Sequence, residues 1–401
     1  MSQGWIIQQG VRVARIESTS DGYRIWQPDN LPERPSTPGW IATTIPFESL
    51  PLELPYEKFP NFFLNMLPEG SRLAALMNTS HVSKDDPLGL LFAAQGEPPG
   101  DSFLQPDEHA TLARRVESKW DHVLKERDFT WSQLTQDLLK NIQVDAISGV
   151  QDKVSRGSLT VPLTRTRTAQ ILKMPTGSYP LIAENEFYTM NVARKCGFEV
   201  SRMQLVYDGE GQAAFAIERF DRMTQRGVVK ERFHLEDGCQ LMDEPPGRKY
   251  QIRLQDLTKQ MMNWCTSRSQ TVVELAALIG FSYIVGNADM HAKNISLMWR
   301  KGICSLSPAY DLLTTLPYPD HEKQMALKLY GRDNRLRLRD VLDLAQNNDV
   351  RPEALTIALR KRLSPIPREI QNFGTVGFDE KTTEYVIGEV LQRYESFFAE
   401  D

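Results

Sequence analysis

The sequence predicts a protein of mixed α/β (α+β) class, with strands and helices distributed unevenly along the chain. Residues 1 to about 45 alternate short β-like runs with Gly, Pro and Asn breaks, which predicts a small antiparallel sheet. Strand and helix patterns alternate in the middle, and from about residue 254 the pattern is mainly helical apart from one predicted β-hairpin. A chain of 401 residues exceeds one small core, so two or three packed subdomains are expected.

Two breaks in the pattern divide the chain. Apolar residues recur at helical spacing over 56–77 but are interrupted at 68–70, which predicts two helices joined by a turn. The segment 95–117 is polar and rich in Gly, Pro, Asp and Glu, which is typical of a linker. We therefore expect subdomains at 1–110, 111–250 and 251–401.

Composition excludes several classes of protein. Apolar residues make up 41% and charged residues 25%, the balance of a soluble globular chain. The formal net charge of −5 argues against a protein that coats nucleic acid alone, because neutralising phosphates requires an excess of Lys and Arg. The four cysteines form no CxxC pair, and no apolar stretch reaches the length of a membrane span. We expect a cytoplasmic protein without a disulfide framework or zinc site.

The strongest chemical signal is the segment NADMHAKN at 287–294, which follows an apolar helix pattern and precedes a predicted strand. Phosphoryl transfer from ATP needs an acidic side chain that accepts the proton of the attacking hydroxyl, with oxygen ligands for magnesium nearby. Asp289 and Asn294 have the Asp-to-Asn spacing of a protein-kinase catalytic loop. His291 and Lys293 lie between them, and Lys293 could neutralise charge on the transferring phosphoryl group.

Two further segments fit the same chemistry. Asp311 in SLSPAYDLL follows the predicted hairpin, where the metal-binding Asp of a kinase DFG motif would lie. Lys173 in ILKMP ends an apolar strand, and Glu184 and Glu186 on the next helix are its candidate partners. Each signal alone has an ordinary structural explanation, such as a turn, a snorkelling lysine or a helix N-cap. Their order along the chain predicts a two-lobed protein-kinase-like fold with a mainly helical C-terminal lobe.

These motifs together resemble the HipA kinase family, toxins of bacterial toxin–antitoxin systems. The resemblance lies in ILKMP, AENEFYTMNVARKCGFEV, AIERFDR, GNADMHAKN and SPAYDLL, in that order. The segments IPFESLPLELP and FFLNMLPEGSRLAAL are similar to the smaller N-terminal subdomain of that family. The resemblance implies a serine/threonine protein kinase that uses ATP and Mg²⁺.

The resemblance also implies roles for individual residues. Asp289 and Lys293 would be catalytic, and Asn294 and Asp311 would bind magnesium. Lys173 would contact the ATP phosphates. The other residues expected to bind the nucleotide are His291, a loop of Ser148, Gly149, Val150, Gln151 and Lys153, and two residues that would hold adenine through backbone groups, Glu218 and Phe220.

One position departs from the family pattern. The nucleotide loop of the family commonly begins with a serine, and here Ala146 stands in its place. In the resembling kinases a loop serine is autophosphorylated, so Ser148 becomes the candidate for self-modification. The alternative is that Ser148 supports a tight turn beside Gly149.

The resemblance implies two partners. One is a small helix-turn-helix antitoxin, with DNA contacted only indirectly through it; the other is a protein substrate, with aminoacyl-tRNA synthetases as the implied targets whose phosphorylation arrests translation. Two alternatives stay open from the residues alone: a small-molecule phosphotransferase, and a catalytically idle co-repressor. The presence of Lys173, Asp289, Asn294 and Asp311 argues against the idle module.

Overall fold

The computed structural model describes residues 2–29, 31, 39–94, 98–107, 129–140, 158–165, 168–177, 179–225, 228–346, 348 and 350–399. Its N-terminal part is built on an antiparallel sheet of strand order β6-β3-β2-β1-β7. The elements of this part are β1 (Gln3–Gln8), β2 (Val11–Ser18), β3 (Gly22–Trp26), β4 (Trp40–Ala42), β5 (Ile45–Pro46), β6 (Leu52–Pro55), α1 (Asn61–Leu64), α2 (Gly70–Ser80), α3 (Pro87–Ala93) and β7 (Ser102–Pro106).

Local sequence explains the turns of this part. The hairpin between β1 and β2 closes through Gln9 and Gly10, both with positive φ, the backbone that a two-residue turn between right-twisted strands requires. The predicted break at 68–70 is confirmed, since α1 and α2 lie on either side of it and Gly70 has a φ of +60°. One face of the sheet is buried with the aromatic residues Phe62 and Phe63 of α1 in a common core.

The middle of the chain forms a second antiparallel sheet, of strand order β10-β11-β9-β8. Its elements are α4 (Trp131–Lys140), β8 (Ser158–Arg165), β9 (Thr168–Pro175), α5 (Ile182–Lys195), β10 (Met203–Tyr207) and β11 (Ala213–Glu218). Strand β11 shows how the sheet is covered on both faces: Phe215 and Ile217 belong to the core that contains α5, whereas Ala214 and Ala216 pack with Trp131 of α4.

Short strands link this sheet to the helical region. They are β12 (Arg222–Gln225), β13 (Val228–Arg232), β14 (His234–Asp237), β15 (Ser296–Arg300) and β16 (Ile303–Leu306), and α6 (Gly238–Leu241) follows β14. Strands β14, β15 and β16 pair in that order. The predicted hairpin is confirmed as β15 and β16, joined through Lys301 and Gly302, which both have positive φ.

The C-terminal region is helical and centres on one long helix. The helices are α7 (Leu254–Met262), α8 (Arg268–Val285), α9 (Leu338–Gln346), α10 (Pro352–Leu363), α11 (Ile366–Glu369) and α12 (Glu380–Phe398). Helix α8 is buried over most of its length and packs against α9, α10 and α12. It ends at Gly286, whose φ is +74° and where an added Cβ would lie 2.5 Å from the Leu316 side chain, so only glycine fits.

The predicted fold class is confirmed: the chain mixes helices and sheets and ends in a mainly helical lobe. The boundaries at 110 and 250 stay predictions. Within the described ranges, no helix combines the length and the hydrophobicity needed to cross a membrane.

A buried histidine joins the N-terminal part to the rest of the molecule. His234 on β14 bonds to Asp101 through Nδ1 and to Glu236 through Nε2, at 2.8 Å each. Glu236 also accepts hydrogen bonds from the backbone N and the Oγ1 of Thr43. Burial alone would lower the pKa of His234, but the two carboxylates outweigh it and raise this pKa to about 10. The imidazolium therefore bridges the two parts at neutral pH.

A second buried charge cluster lies beside it. The Asp221 carboxylate accepts hydrogen bonds from the guanidiniums of Arg219 and Arg222 and from the backbone N of Gly100. Both guanidiniums also donate to the Pro98 carbonyl. Burial would raise the pKa of Asp221, but the two guanidiniums outweigh it and hold that pKa well below its usual range. The N-terminal part is thus docked through charges that satisfy one another.

We predict that His234→Gln lowers the free energy of unfolding by about 3–5 kcal/mol, because it leaves two buried carboxylates without their cation. The pKa of His234 is raised in the folded state, so its stabilisation is complete below about pH 6.5, declines above that, and is lost as pH rises through about 10. Urea denaturation of both proteins at about pH 6 and about pH 10 measures this. A difference that does not shrink with rising pH would contradict it.

Candidate active site

Three charged side chains from distant parts of the chain meet between the middle sheet and the helical lobe. Lys173 on β9 donates from Nζ to Oε1 of Glu186 on α5 at 2.6 Å, and also to Oδ1 of Asp311. The sequence left Glu184 and Glu186 as alternative partners, and the structure pairs Lys173 with Glu186. The Glu186 side chain is buried and that of Lys173 is 15% exposed, whereas the Asp311 side chain is 39% exposed and accessible to a ligand.

Burial and charge set the protonation of this group. Burial alone would lower the pKa of Lys173, but the carboxylates of Asp311 and Glu186 outweigh it, so that pKa lies above its ordinary value. Burial raises the pKa of Glu186 to about 7, although Lys173 opposes this shift. Lys173 is therefore a fixed cation facing the Asp311 carboxylate.

The backbone at Asp311 adopts a conformation that is uncommon for a residue with a side chain. Its φ is +54°, in the left-handed region that Asp tolerates better than most residues. Helix α5 secures the segment that follows, because Asn185 donates from Nδ2 to the Thr314 carbonyl and accepts from the Thr314 amide at Oδ1. Adjacent residues of α5 thus bind Lys173 and the chain beyond Asp311.

The predicted catalytic loop begins where α8 ends. The Asp289 amide donates to Oδ1 of Asn287 at 3.1 Å, and the His291 amide donates to Oδ1 of Asn294 at 3.1 Å. Nδ2 of Asn294 in turn donates to Oδ2 of Asp311 at 3.1 Å. The loop and the segment at Asp311 are therefore in direct contact, as their predicted shared role requires.

The structure adds a residue that the sequence did not indicate. The hydroxyl of Tyr250 donates to Oδ1 of Asp289 at 3.0 Å. Burial, and then the Asp289 carboxylate, raise the pKa of Tyr250 well above its ordinary value, so the hydroxyl stays protonated and remains a donor. Tyr250 lies 39 residues before Asp289 and belongs to no recognisable motif, so no local signal could have identified it.

The two residues between Asp289 and Asn294 lie in different surroundings. His291 is buried, and its ring centroid lies 5.2 Å from that of Tyr250 in an edge-to-face arrangement. The ammonium of Lys293 donates to the Asn65 carbonyl at 3.0 Å and is 3.1 Å from Oε1 of Glu69, in the turn between α1 and α2. The expectation that Lys293 neutralises charge on a phosphoryl group stays a prediction, and in this structure its ammonium binds the N-terminal part.

The predicted adenine-binding residues lie at the end of β11, where Glu218 is the last residue of the strand, and in the connection that follows, which contains Phe220. Glu218 and Phe220 line a cavity of about 300 Å³. The Phe220 ring lies 5.5 Å from that of Tyr310, the residue before Asp311. The predicted nucleotide loop, comprising Ser148, Gly149, Val150, Gln151 and Lys153, lies outside the described residues, as does Ala146.

Models of known protein families match two parts of the chain. Residues 6–101 match the HipA N-terminal domain, and residues 146–373 match the HipA-like C-terminal domain. The chain belongs to the HipA family. The family resemblance inferred from the motifs is therefore confirmed over most of the sequence.

Individual relatives are similar to this chain over about two thirds of its length or more. Y4dM of Sinorhizobium fredii, whose name classes it provisionally as a kinase, is 32% identical over 287 residues, or 67% of this chain. The match spans 65% of the length of Y4dM. The serine/threonine-protein kinase toxin HipA of Shewanella oneidensis is 24% identical over 355 residues, covering 78% of this chain and 75% of that protein.

The fold agrees with a solved HipA structure. Shewanella oneidensis HipA, solved in complex with HipB and operator DNA, superposes with a TM-score of 0.75 and covers 98% of this chain and 97% of that one. The two are 18% identical, so this likeness establishes the shared fold. The predicted two-lobed protein-kinase-like architecture is confirmed.

We predict that Lys173→Met lowers the free energy of unfolding by about 3–5 kcal/mol, because two carboxylates then face each other without their cation. The double variant Lys173→Met/Glu186→Leu should recover part of this loss, since it also removes the more deeply buried carboxylate. Urea denaturation of both variants measures the difference. If the double variant is no more stable than the single one, the paired charges are not what stabilises this junction.

Proposed function

We propose that this chain is an ATP- and magnesium-dependent protein kinase that transfers the γ-phosphate to a serine or threonine of another protein. The observation that carries the proposal is the position of Asp311, whose carboxylate binds Lys173 on one oxygen and Asn294 of the catalytic loop on the other. This arrangement combines the phosphate-binding lysine, the metal-binding acid and the catalytic loop of a kinase.

Each residue of the proposed site has a separate role in the reaction. Asp289 orients the attacking hydroxyl and accepts its proton, and the hydrogen bond from Tyr250 fixes the direction of that carboxylate. Lys173, held by Glu186, binds the phosphates of ATP. The connection at Glu218 and Phe220 holds the adenine ring, and His291 and the loop at 148–153 complete the nucleotide site.

Magnesium fits the donors that this site offers. Asp311 supplies a partly exposed carboxylate, and Asn294 supplies a carboxamide whose Nδ2 faces Asp311 and whose Oδ1 accepts from the His291 amide. Hard oxygen donors are the ligands that Mg²⁺ prefers together with phosphate oxygens, so Asn294 would bind the ion through Oδ1. Asp311 and Asn294 would hold the ion. When bound, magnesium neutralises charge on the transferring phosphoryl group.

The partners follow from family membership. The Shewanella relative was solved with HipB and operator DNA, which supports a small helix-turn-helix antitoxin as the partner of this chain, with DNA contacted only through it. We propose that the substrate is an aminoacyl-tRNA synthetase and that the reaction takes place in the cytoplasm. Phosphorylation of the synthetase would stop translation and growth. Ser148 is the proposed site of autophosphorylation, which would add negative charge where ATP phosphates bind and switch the enzyme off.

Incubation with γ-labelled ATP, magnesium and a cell lysate tests the proposal. Label on serine or threonine of a protein is the expected result. Label on a metabolite would identify a small-molecule phosphotransferase. No label from a chain that still binds an antitoxin would identify an idle co-repressor, and either result would overturn the protein-kinase assignment.

We predict that Asp289→Gln lowers the rate of phosphoryl transfer by roughly 30- to 1000-fold, about 2–4 kcal/mol in the barrier, because the proton acceptor is lost. ATP affinity should change little, since Asp289 is proposed to orient the attacking hydroxyl rather than to hold the nucleotide. A labelled-ATP assay and calorimetry of ATP binding measure the two effects separately. Unchanged turnover would remove Asp289 from the mechanism.

We also predict that Asp311→Asn and Asn294→Ala each weaken nucleotide binding by at least about tenfold in the presence of magnesium, because oxygen ligands of the ion are removed or made less basic. The loss should be much smaller when magnesium is chelated. Calorimetry with and without the ion provides the comparison. Parent-like MgATP affinity in both variants would show that the ion binds elsewhere.

A further inference from the structure

A partly buried carboxylate of the N-terminal part pairs with two lysines at the catalytic loop. Glu69 lies in the turn between α1 and α2, and its Oε2 is 2.5 Å from Nζ of Lys249 while its Oε1 is 3.1 Å from Nζ of Lys293. The side chains of Glu69, Lys249 and Lys293 are 18%, 8% and 3% exposed. The low exposure makes these ion pairs much less screened by solvent than surface pairs.

Both lysines belong to segments that hold the proposed proton acceptor. Lys293 lies within the loop of Asp289, next to Asn294. Lys249 precedes Tyr250, whose hydroxyl donates to Asp289, and the Lys249 carbonyl accepts a hydrogen bond from the Ala292 amide at 3.1 Å. Glu69 therefore binds the catalytic loop directly through Lys293. Through Lys249 it also binds the segment of Tyr250, which orients the Asp289 carboxylate.

We propose that Glu69 is a positioning residue for phosphoryl transfer: it holds Lys249 and Lys293 so that Tyr250 and Asp289 keep their reactive geometry. The proposal rests on the proposed kinase function. It assigns the N-terminal part a role in catalysis, because that part supplies the carboxylate on which the shape of the loop depends. It also assigns Lys293 to loop geometry rather than to contact with phosphate.

Charge explains why the loop depends on this carboxylate. Without it, the nearly buried ammonium groups of Lys249 and Lys293 lose the carboxylate that they share, and each gains by moving toward water. Lys293 lies in the loop of Asp289 and Lys249 is adjacent to Tyr250, so such a movement displaces the Asp289 carboxylate and the hydroxyl that orients it. A misplacement of about 1 Å can cost on the order of 100-fold in rate.

The turn itself keeps Glu69 in place. Pro68 and Gly70 flank it, and Gly70 takes the positive φ that starts α2 in the required direction. The neighbouring helix α1 is attached to the helical lobe as well, since Asn65 donates to the Glu244 carbonyl at 2.9 Å and Gln240 donates to the Phe62 carbonyl at 3.0 Å. The Glu69 carboxylate therefore lies on a segment that is fixed to the helical lobe by hydrogen bonds.

The first test compares Glu69→Gln with Glu53→Gln, a matched change in the same part of the chain. Glu53 forms an exposed pair with Arg24, 3.0 Å apart, far from the loop in sequence and on the N-terminal sheet. We expect kcat to fall about 10- to 100-fold in Glu69→Gln, with the Kd for ATP within about twofold of the parent. Glu53→Gln should keep the parent kcat.

A double variant separates this role from direct contact between Lys293 and phosphate. If Glu69 acts through Lys293, the loss of kcat in Glu69→Gln/Lys293→Met is smaller than the product of the two single losses. If Lys293 acts on phosphate independently of Glu69, the losses multiply. Multiplying losses would overturn the assignment of Lys293.

Hydrogen exchange of the segment 287–295 provides a readout that needs no activity. We expect exchange to be several-fold faster in Glu69→Gln than in the parent, and unchanged in Glu53→Gln. Parent-like kcat and parent-like exchange in Glu69→Gln would refute the positioning role while leaving the kinase assignment intact. Faster exchange in a chain whose parent form transfers no phosphate would refute the kinase assignment while supporting the anchoring. If Glu69→Gln does not fold, Glu69→Asp, which withdraws the charge by one methylene, replaces it in each comparison.

Discussion

The carboxylate of Asp311 is the point on which the proposed site depends. One of its oxygens binds the lysine of the middle sheet and the other binds the catalytic loop, while its backbone takes a left-handed conformation. Such a conformation persists only when the surroundings hold it, and here α5 does so through Asn185 and Glu186. Sheet, helix and loop are therefore fixed relative to one another by ion pairs and hydrogen bonds that meet at one partly exposed carboxylate.

Paired charges also attach the N-terminal part to the rest of the molecule. It is attached through three sets of buried charges, centred on His234, Asp221 and Glu69, rather than through apolar packing alone. Buried charges of this kind are costly unless each one is paired, so their geometry is specific even where their net contribution to stability is small. One of the three sets ends at the catalytic loop, which makes the N-terminal part relevant to the chemistry.

The features that the sequence predicted are those that depend on residues close together in the chain, such as turns and motif spacing. The hairpin turns carry glycine where positive φ is needed, and the Asp289 to Asn294 spacing and the later Asp311 lie in kinase order. The contacts of Tyr250 with Asp289, of Glu69 with Lys293 and of His234 with Asp101 could not be predicted, because each joins residues separated by 39 to 224 positions. Lys293 shows the limit most clearly: its place in the loop indicated a phosphate contact, and only the fold reveals Glu69 beside it.

A structure of this chain with magnesium and a non-hydrolysable ATP analogue tests the account most directly. The account predicts that the phosphates lie between Lys173 and Asp311, with the ion on Asp311 and Asn294 and the adenine against the connection at 218–220. The Asp289 carboxylate should still accept the hydrogen bond from Tyr250 and face the γ-phosphate. A nucleotide bound elsewhere, with Lys173 and Asp311 still paired and neither of them in contact with a phosphate, would contradict this mechanism.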